Sequence, residues 1–334
     1  MRIDPARKRS VHALVLCLLL GGSSAALAQA PLEGSAPKIM ASLSERWVQG
    51  FNASQSGTRV QVPPPYGPPQ GTLSTTLAAF LHGHIDFAFL SRKLAETDVA
   101  TFQNAHGYDP IVIPVALGSW KSFGFTDPVV VIVNANNPVS GLSYSELDAI
   151  FSKSRLRGHL PILAWRSVQK DLPDLPIHVV GGTSWAKSED SARGGVFRER
   201  VLLGGDWKDG PGIAEGGKEA DVSARVASDP AAIGFTGLGH LLPGTRAVPI
   251  AKDDGGPYVA PTLAAVASAR YPLTRSLDLI VARKPGTCLS PRVLSFVRYL
   301  LGWEGQREIA RDGHFLKLTR AQTRSSWLRA SSCL

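Results

Sequence analysis

Five consecutive β-branched residues, from Val129 to Val133, constrain the fold of this chain more than any other stretch. Because no polar residue interrupts the run, it predicts a strand buried on both faces, as in a parallel sheet covered by helices. Further short strands are expected at Ile85–Leu90, Ile111–Val115, Ile177–Val180 and Leu277–Val281. Amphipathic stretches separate these strands. This alternation predicts an α/β fold with mostly parallel sheets flanked by helices.

Apolar spacing and capping residues locate the first helices. Apolar side chains recur every three or four positions between Met40 and Phe51, which predicts a helix. It is expected to follow a flexible start and a turn at residues 34–37. Ser143 and Glu146, three positions apart, form a capping-box pattern that predicts the start of another helix.

Residues 1–28 have the pattern of a secretory signal peptide. Basic residues precede the apolar run Val11–Leu20, and small residues then lead to a cleavage site after Ala28. The apolar run is too short to anchor the protein permanently in a bilayer. We therefore expect a soluble protein that is exported to the periplasm.

Two cysteines, Cys288 and Cys333, follow the signal peptide, whereas Cys17 lies inside it. In an oxidising compartment an even pair of cysteines favours a disulfide. The loop closed by such a bridge would restrict the unfolded chain by roughly 4 kcal/mol on the chain-entropy estimate. We predict that this bridge forms.

The net charge of +9 is only partly due to the basic signal peptide, so the exported protein keeps a positive excess. This excess favours anionic ligands. Nucleic acid is a common partner of proteins with a positive net charge, but the expected export and the scattered positions of the charges argue against it. His82 and His84 are two positions apart and would not face each other along a helix. We therefore expect no metal site, and nothing in the sequence indicates a cofactor.

A strand, a polar loop and a helix start are expected between Ile177 and Leu203. The loop covers residues 183–190, and Ser191 is the expected N-cap residue. A helix start has N–H groups without partners and the positive end of a dipole, so together with Arg193 it could hold an anion. The alternative is an ordinary capped helix with a solvated arginine.

Several short motifs follow one another along nearly the whole exported chain. They are Ile85–Arg92, Asp127–Val139, Leu142–Phe151, Ile177–Gly181, Asp229–Phe235, Tyr271–Arg275 and Trp303–Gln306. In this order and at this spacing they resemble the periplasmic phosphate-binding proteins of ABC importers, which belong to the type II periplasmic-binding-protein superfamily.

The resemblance implies two α/β lobes with a ligand cleft between them and a hinge that closes the cleft. The exported chain has about 300 residues, which is more than a single hydrophobic core usually contains. This length also favours two lobes. The first lobe is expected at residues 29–125 plus 260–334, and the second at 126–259. The resemblance further implies delivery of phosphate or a similar oxyanion to the membrane permease of an ABC importer, and we expect a monomer.

The resemblance assigns ligand contacts to both lobes. They are Ser35, Ala36, Thr72, Ser74, Ser91, Arg92, Ser191, Ala192 and Arg193. The serines and the threonine could instead cap helices, and Arg92 could form a surface ion pair. Relatives have an arginine after the strand and Ser-Gly-Thr at the helix start, whereas this chain has Gly182 and then Ser-Ala-Arg. Either Arg193 supplies the charge from a new direction, or the site has drifted to another ligand or to none.

Other readings of the site stay open. Asp127, beside Pro128, is interpreted as a turn residue at the lobe crossing, with the alternative that it accepts the proton of a phosphate. Sulfate, molybdate and a ligand-free envelope module are alternatives to phosphate capture. An exported hydrolase is the rival class. The chain lacks Gly-x-Ser-x-Gly and His-Glu-x-x-His, so we expect no enzyme and no catalytic residues.

Overall fold

The structure is a computed structural model, and it describes residues 1, 30–54, 57–63, 73–120, 126–182, 193–208, 213–214 and 219–333. The expected signal peptide lies outside the described residues, apart from its first residue. The described part of the chain is an α/β fold with two five-stranded sheets and one two-stranded pair. The expected α/β class with helices against the sheets is confirmed.

The first sheet is built from strands at both ends of the chain. Its strands are β1 (Leu32–Ser35), β2 (Val60–Gln61), β3 (Phe87–Leu90), β4 (Ile111–Leu117) and β12 (Ser276–Val281). Their order is β2-β1-β3-β12-β4. β1 pairs parallel with β2 and β3, whereas β12 runs antiparallel to β3 and β4. A strand from late in the chain therefore completes a sheet that the early strands begin.

The second sheet contains the β-branched run. Its strands are β5 (Val129–Asn134), β7 (His178–Gly182), β8 (Ile213–Ala214), β9 (Ala232–Gly237) and β10 (Thr245–Ala247). Their order is β10-β5-β9-β7-β8. β5 is buried along its whole length, as predicted, but it pairs antiparallel with both β9 and β10. The parallel direction expected for this run is wrong, because a lack of polar alternation reports burial of both faces and not the direction of the partners.

Helices and a small strand pair complete the described fold. The strand pair is β6 (Leu142–Ser143) with β11 (Ile250–Ala251), and the helices are α1 (Ala41–Ser54), α2 (Leu73–Leu81), α3 (Glu96–His106), α4 (Tyr144–Phe151), α5 (Gly194–Arg200), α6 (Glu219–Ser228), α7 (Leu263–Ala267), α8 (Pro291–Leu301), α9 (Trp303–Asp312) and α10 (Arg320–Ser331). The predicted capping box of α4 is confirmed: the Ser143 backbone N donates to Glu146 Oε2 at 2.7 Å, and Ser143 Oγ accepts from the Glu146 backbone N at 3.2 Å.

The chain segment before α1 differs from the expectation of a flexible start. Leu32–Ser35 forms β1, which lies between β2 and β3. Gly34 faces the ring of Phe87, and a Cβ on Gly34 would lie 2.1 Å from Phe87 Cε2. A short strand that contains glycine carries little sequence signal, because glycine is depleted in strands. The strand is instead specified by its neighbours in the sheet.

Separate apolar cores lie against the two sheets. One includes β5 and β9 with α4 and α5, and another includes β3, β4 and β12 with α1 and α8. In the second of these cores the buried Trp47 of α1 donates from Nε1 to the backbone O of Gly305 at 2.9 Å. A third cluster, from α2 and α3, covers the other face of the first sheet.

The predicted disulfide is confirmed. Cys288 and Cys333 are bridged, with their Cα atoms 4.3 Å apart. The bridge joins the segment before α8 to the end of α10, so it fixes the C-terminal helices to one another. Within the described ranges, no helix is both long enough and apolar enough to cross a bilayer.

Candidate anion-binding site

Arg193 and Asp127 form a buried ion pair on the second sheet. Arg193 Nη2 donates to Asp127 Oδ1, and the backbone N of Gly239 donates to Asp127 Oδ2 at 2.8 Å. Both side chains are almost inaccessible, at 2% exposure for Arg193 and 0% for Asp127. Asp127 precedes β5 and Gly239 follows β9, so the antiparallel pairing of these strands brings them together. The interpretation of Asp127 as a turn residue misses this buried role.

A glycine makes room for the Arg193 guanidinium. Gly237 is the last residue of β9, and a Cβ at this position would lie 2.2 Å from Arg193 Nη2. Any side chain here would force the guanidinium out of its position, because such separations are well inside van der Waals contact. The sequence at the end of β9 therefore helps to set the direction of Arg193.

Arg275 is a second buried arginine close to this pair. Its side chain is 3% exposed, and its Nη2 donates to the backbone O of Ser91 at 2.6 Å. Burial and the charge of Arg193 lower the pKa of Arg275 to about 10, and Asp127 opposes this shift. At neutral pH Arg275 stays protonated. It therefore carries a full positive charge between the end of β3 and the Arg193–Asp127 pair.

Among the described residues, Arg275 and its charged neighbours comprise three cationic and two acidic side chains. Its charged neighbours, in order of effect, are Arg193, Asp127, Arg200 and Asp278. Buried charges are costly unless they are paired and hydrogen-bonded. An oxyanion would add negative charge here, and guanidinium groups bind oxyanions through two parallel hydrogen bonds. The arrangement is chemically suited to hold an anion.

The residues expected at the ligand lie in different parts of this region. Ser35 ends β1 beside Ala88 of β3, and Ala36 follows it as a buried residue. Ser91 follows β3 and offers its carbonyl to Arg275. Ser74 lies in the first turn of α2. The other expected contacts, Thr72, Ser191 and Ala192, lie outside the described residues.

Arg92 is held by an acidic neighbour. Its Nη1 donates to Asp98 Oδ2 at 2.6 Å and to the backbone O of Lys93 at 2.7 Å. Asp98 belongs to the first turn of α3, where it also accepts from the Ala95 backbone N at 2.9 Å. Arg92 is thus buried in an ion pair at a helix start, rather than lying in the surface pair considered from the sequence.

The strand and helix around Arg193 differ in detail from the expected pattern. β7 covers His178–Gly182, and α5 begins at Gly194 with Arg193 as its N-cap residue. No side chain caps this helix start, and α5 is only seven residues long. The charge of Arg193 and its partner Asp127 therefore define the site here, more than the helix end does.

Sequence reasoning missed Arg275 and underrated Asp127 as site residues. Arg275 belongs to the Tyr271–Arg275 motif, but no local spacing connects it with residues more than eighty positions away. One sequence feature could have indicated Arg275 as a site residue: it is a charged residue directly before a buried strand, because β12 begins at Ser276. No group of three or more histidine, cysteine or acidic side chains in the described ranges could hold a metal ion.

Known proteins support the expected relationship. A family model described as a PBP superfamily domain matches residues 22–304. The phosphate-binding protein PstS of Pseudomonas aeruginosa is 26% identical over 278 residues, which cover 82% of this chain and 79% of that protein. Protein SphX of Synechococcus elongatus is 26% identical over 243 residues, which cover 72% of this chain and 65% of that protein.

A solved structure agrees with the fold. PstS of Borrelia burgdorferi superposes with a TM-score of 0.53 at 14% identity, and the match covers 86% of this chain and 98% of that one. At this identity the likeness shows the fold alone. Because the family model accounts for most of the sequence, from residue 22 to residue 304, this chain belongs to the PBP superfamily.

Proposed function

We propose that this chain is an exported solute-binding protein that captures inorganic phosphate for the membrane permease of an ABC importer. The observation that carries the proposal is the buried group of Arg193, Asp127 and Arg275, in which positive charge exceeds negative charge. The phosphate-binding relative in Pseudomonas aeruginosa supports the same ligand. The protein acts as a periplasmic monomer without catalytic activity.

The two lobes of the proposed binding protein contain one five-stranded sheet each. Residues 29–125 and 260–334 form the first lobe, and residues 126–259 form the second. Arg275 would then lie in the first lobe, directly before β12, where it contacts Ser91 and is within electrostatic range of Arg193 in the second lobe. Closure around a ligand would bring donors from both lobes to the same anion. These donors are Arg275 and the residues that the resemblance assigns, namely Ser35, Ala36, Thr72, Ser74, Ser91, Arg92, Ser191, Ala192 and Arg193.

Asp127 gives the site a basis for choosing phosphate over sulfate. Phosphate near neutral pH carries a proton that needs an acceptor, whereas sulfate needs donors only. The Asp127 carboxylate accepts from Arg193 and from the Gly239 backbone N, and each of its oxygens has a further lone pair. A carboxylate in this position would accept a hydrogen bond from the phosphate hydroxyl and would repel a fully ionised sulfate or molybdate.

Calorimetry of the mature protein against phosphate, sulfate and molybdate tests the proposal. The protein is first unfolded and refolded to remove any ligand carried through purification. We expect saturable heat with phosphate, and weaker or no heat with the other two ions. Absence of heat with all three ions would leave the ligand-free envelope module as the better description.

A matched pair of variants tests whether the heat comes from this site. Arg193→Gln removes a buried charge of the proposed site, and Arg324→Gln removes a charge from an exposed residue of α10. Phosphate affinity should fall at least tenfold in the first variant and stay unchanged in the second, because loss of a charged hydrogen bond costs about 1.5–3 kcal/mol. Circular dichroism confirms that both variants are folded. Equal affinity in the two variants would place the ligand elsewhere.

The hydrolase alternative has its own test. A chromogenic phosphate ester is incubated with the parent protein and with Ser191→Ala. We expect no turnover by either protein. Turnover that disappears in the variant would replace the binding proposal with an enzymatic one.

A further inference from the structure

A cavity of about 530 Å³ lies beside the candidate anion site, with walls from elements that pack on both large sheets. β4, β12 and α10 provide one side, and α4 and α5 provide the other. Neither Arg193 nor Asp127 is among its described lining residues, although Arg275 is. Its volume is in the range of small-molecule sites, which are usually about 300–1,000 Å³.

The cavity wall is strongly cationic. Arg200, Lys252 and Arg329 line it, together with Arg275. Arg200 Nη1 donates to the backbone O of Thr274 at 2.6 Å and to that of Pro272 at 3.1 Å, and Arg329 Nη1 donates to the backbone O of Val112 at 3.0 Å. These partners are neutral carbonyls, so they do not offset the charges.

Among the described residues, few carboxylates lie close enough to the cavity to neutralise the positive charges on its wall. Within the described ranges, Arg200, Lys252 and Arg329 have no carboxylate at salt-bridge distance. Glu199 also lines the cavity, but Lys93 already pairs with it. Asp278 is buried within electrostatic range of Arg200 and Arg329 and is not among the described lining residues. The cavity can therefore accept more than one negative charge.

Thr274 provides an independent sign of a ligand. It lines the cavity and is 6% exposed, and its Oγ1 has no hydrogen-bond partner among the described residues. A buried hydroxyl without a partner costs about 1–3 kcal/mol. An acceptor oxygen on a bound molecule would satisfy this hydroxyl. The same residue's carbonyl holds Arg200, so a charge and a free donor are fixed next to each other.

We propose that this cavity is a second ligand site, for a small organic molecule that carries two or more carboxylate or phosphate groups. Several cations along the cavity wall suit several acidic groups better than one tetrahedral ion. Leu117 and Leu318 also line the cavity, and such apolar side chains suit a carbon skeleton. This site is additional to the proposed phosphate site and shares Arg275 with it.

Calorimetry with citrate and with 2,3-bisphosphoglycerate tests the second site and distinguishes carboxylate from phosphate groups. The titrations are made in saturating inorganic phosphate, and two variants locate the binding. Thr274→Val removes the hydroxyl while keeping the shape of the side chain, and Lys252→Gln removes one cavity charge. Lys284→Gln is the matched control, because Lys284 is also an exposed lysine and is not among the described lining residues.

We expect saturable heat with at least one probe. Thr274→Val should weaken that binding about tenfold, since a hydrogen bond to a charged group is lost. Its free energy of unfolding should not fall, because the hydroxyl has no partner to lose. Lys252→Gln should also weaken binding, and Lys284→Gln should not. The proposal fails if neither probe gives saturable heat, or if Thr274→Val and Lys252→Gln bind as tightly as the parent.

Discussion

Arg193 and Asp127 form a buried ion pair across 66 positions of the chain. Arg193 lies at the start of α5 and Asp127 lies before β5. The sequence around either residue therefore does not predict that the two form a pair. The pair is completed by the Gly239 backbone N, which donates to the second carboxylate oxygen at 2.8 Å. The pair thereby connects a helix, a strand start and a turn at the candidate site.

Breaking this pair on one side should destabilise the protein strongly. Arg193→Met or Asp127→Leu leaves a buried charge without its partner, which costs about 3–5 kcal/mol. The double variant removes both charges and should lose much less than the two single variants together. Urea unfolding of the four proteins measures the coupling. Additive losses would show that the two side chains do not stabilise each other.

Gly237→Ala should disturb Arg193 through space. The added methyl group would lie 2.2 Å from Arg193 Nη2, so the guanidinium has to move. We expect a loss of about 1–3 kcal/mol in the free energy of unfolding, as for other overpacked sites. Weaker phosphate binding should accompany it. Gly57→Ala is the matched control, because a Cβ on Gly57 meets nothing within 4 Å. Equal stability of both variants would contradict the tight approach.

Removal of the disulfide should destabilise the C-terminal helices. The bridge closes a loop of 45 positions, for which the chain-entropy estimate is about 4 kcal/mol. Cys288→Ser with Cys333→Ser should lower the free energy of unfolding by roughly this amount. A reductant should lower the stability of the parent protein to the same level and leave the double variant unchanged. A reductant effect on the double variant would point to another cause.

Asp278 should make stability depend on pH. Burial raises the pKa of Asp278, while a hydrogen bond from Ser276 and the charge of Arg200 oppose this shift. The folded protein therefore binds this proton more tightly than the unfolded chain. Its stabilising effect is complete below the usual value of 3.8 and is lost as pH rises through the folded pKa.

Asp278→Asn removes this titratable group, so the difference between the parent and the variant measures its effect on the free energy of unfolding. As pH rises above about 4, the free energy of unfolding of the parent should fall relative to that of the variant. Urea unfolding at several pH values gives the two curves. The interpretation fails if the curves stay parallel across this range.

Local sequence patterns determined much of the fold. The uninterrupted β-branched run gave the burial of β5, and the Ser143–Glu146 spacing gave the start of α4. Two cysteines after the expected signal peptide predicted the bridge between Cys288 and Cys333. These features depend on neighbouring residues or on composition, so they can be derived without knowledge of the three-dimensional arrangement.

The tertiary structure alone decided the strand directions and the candidate site. β1 lies between β2 and β3, where Gly34 leaves room for the ring of Phe87, and β5 pairs antiparallel with both β9 and β10. The approach of Arg193, Asp127 and Arg275 depends on strands that are distant in the sequence. The burial and charge of these three residues arise from packing between elements that are distant in the sequence. The spacing of neighbouring residues therefore cannot predict them.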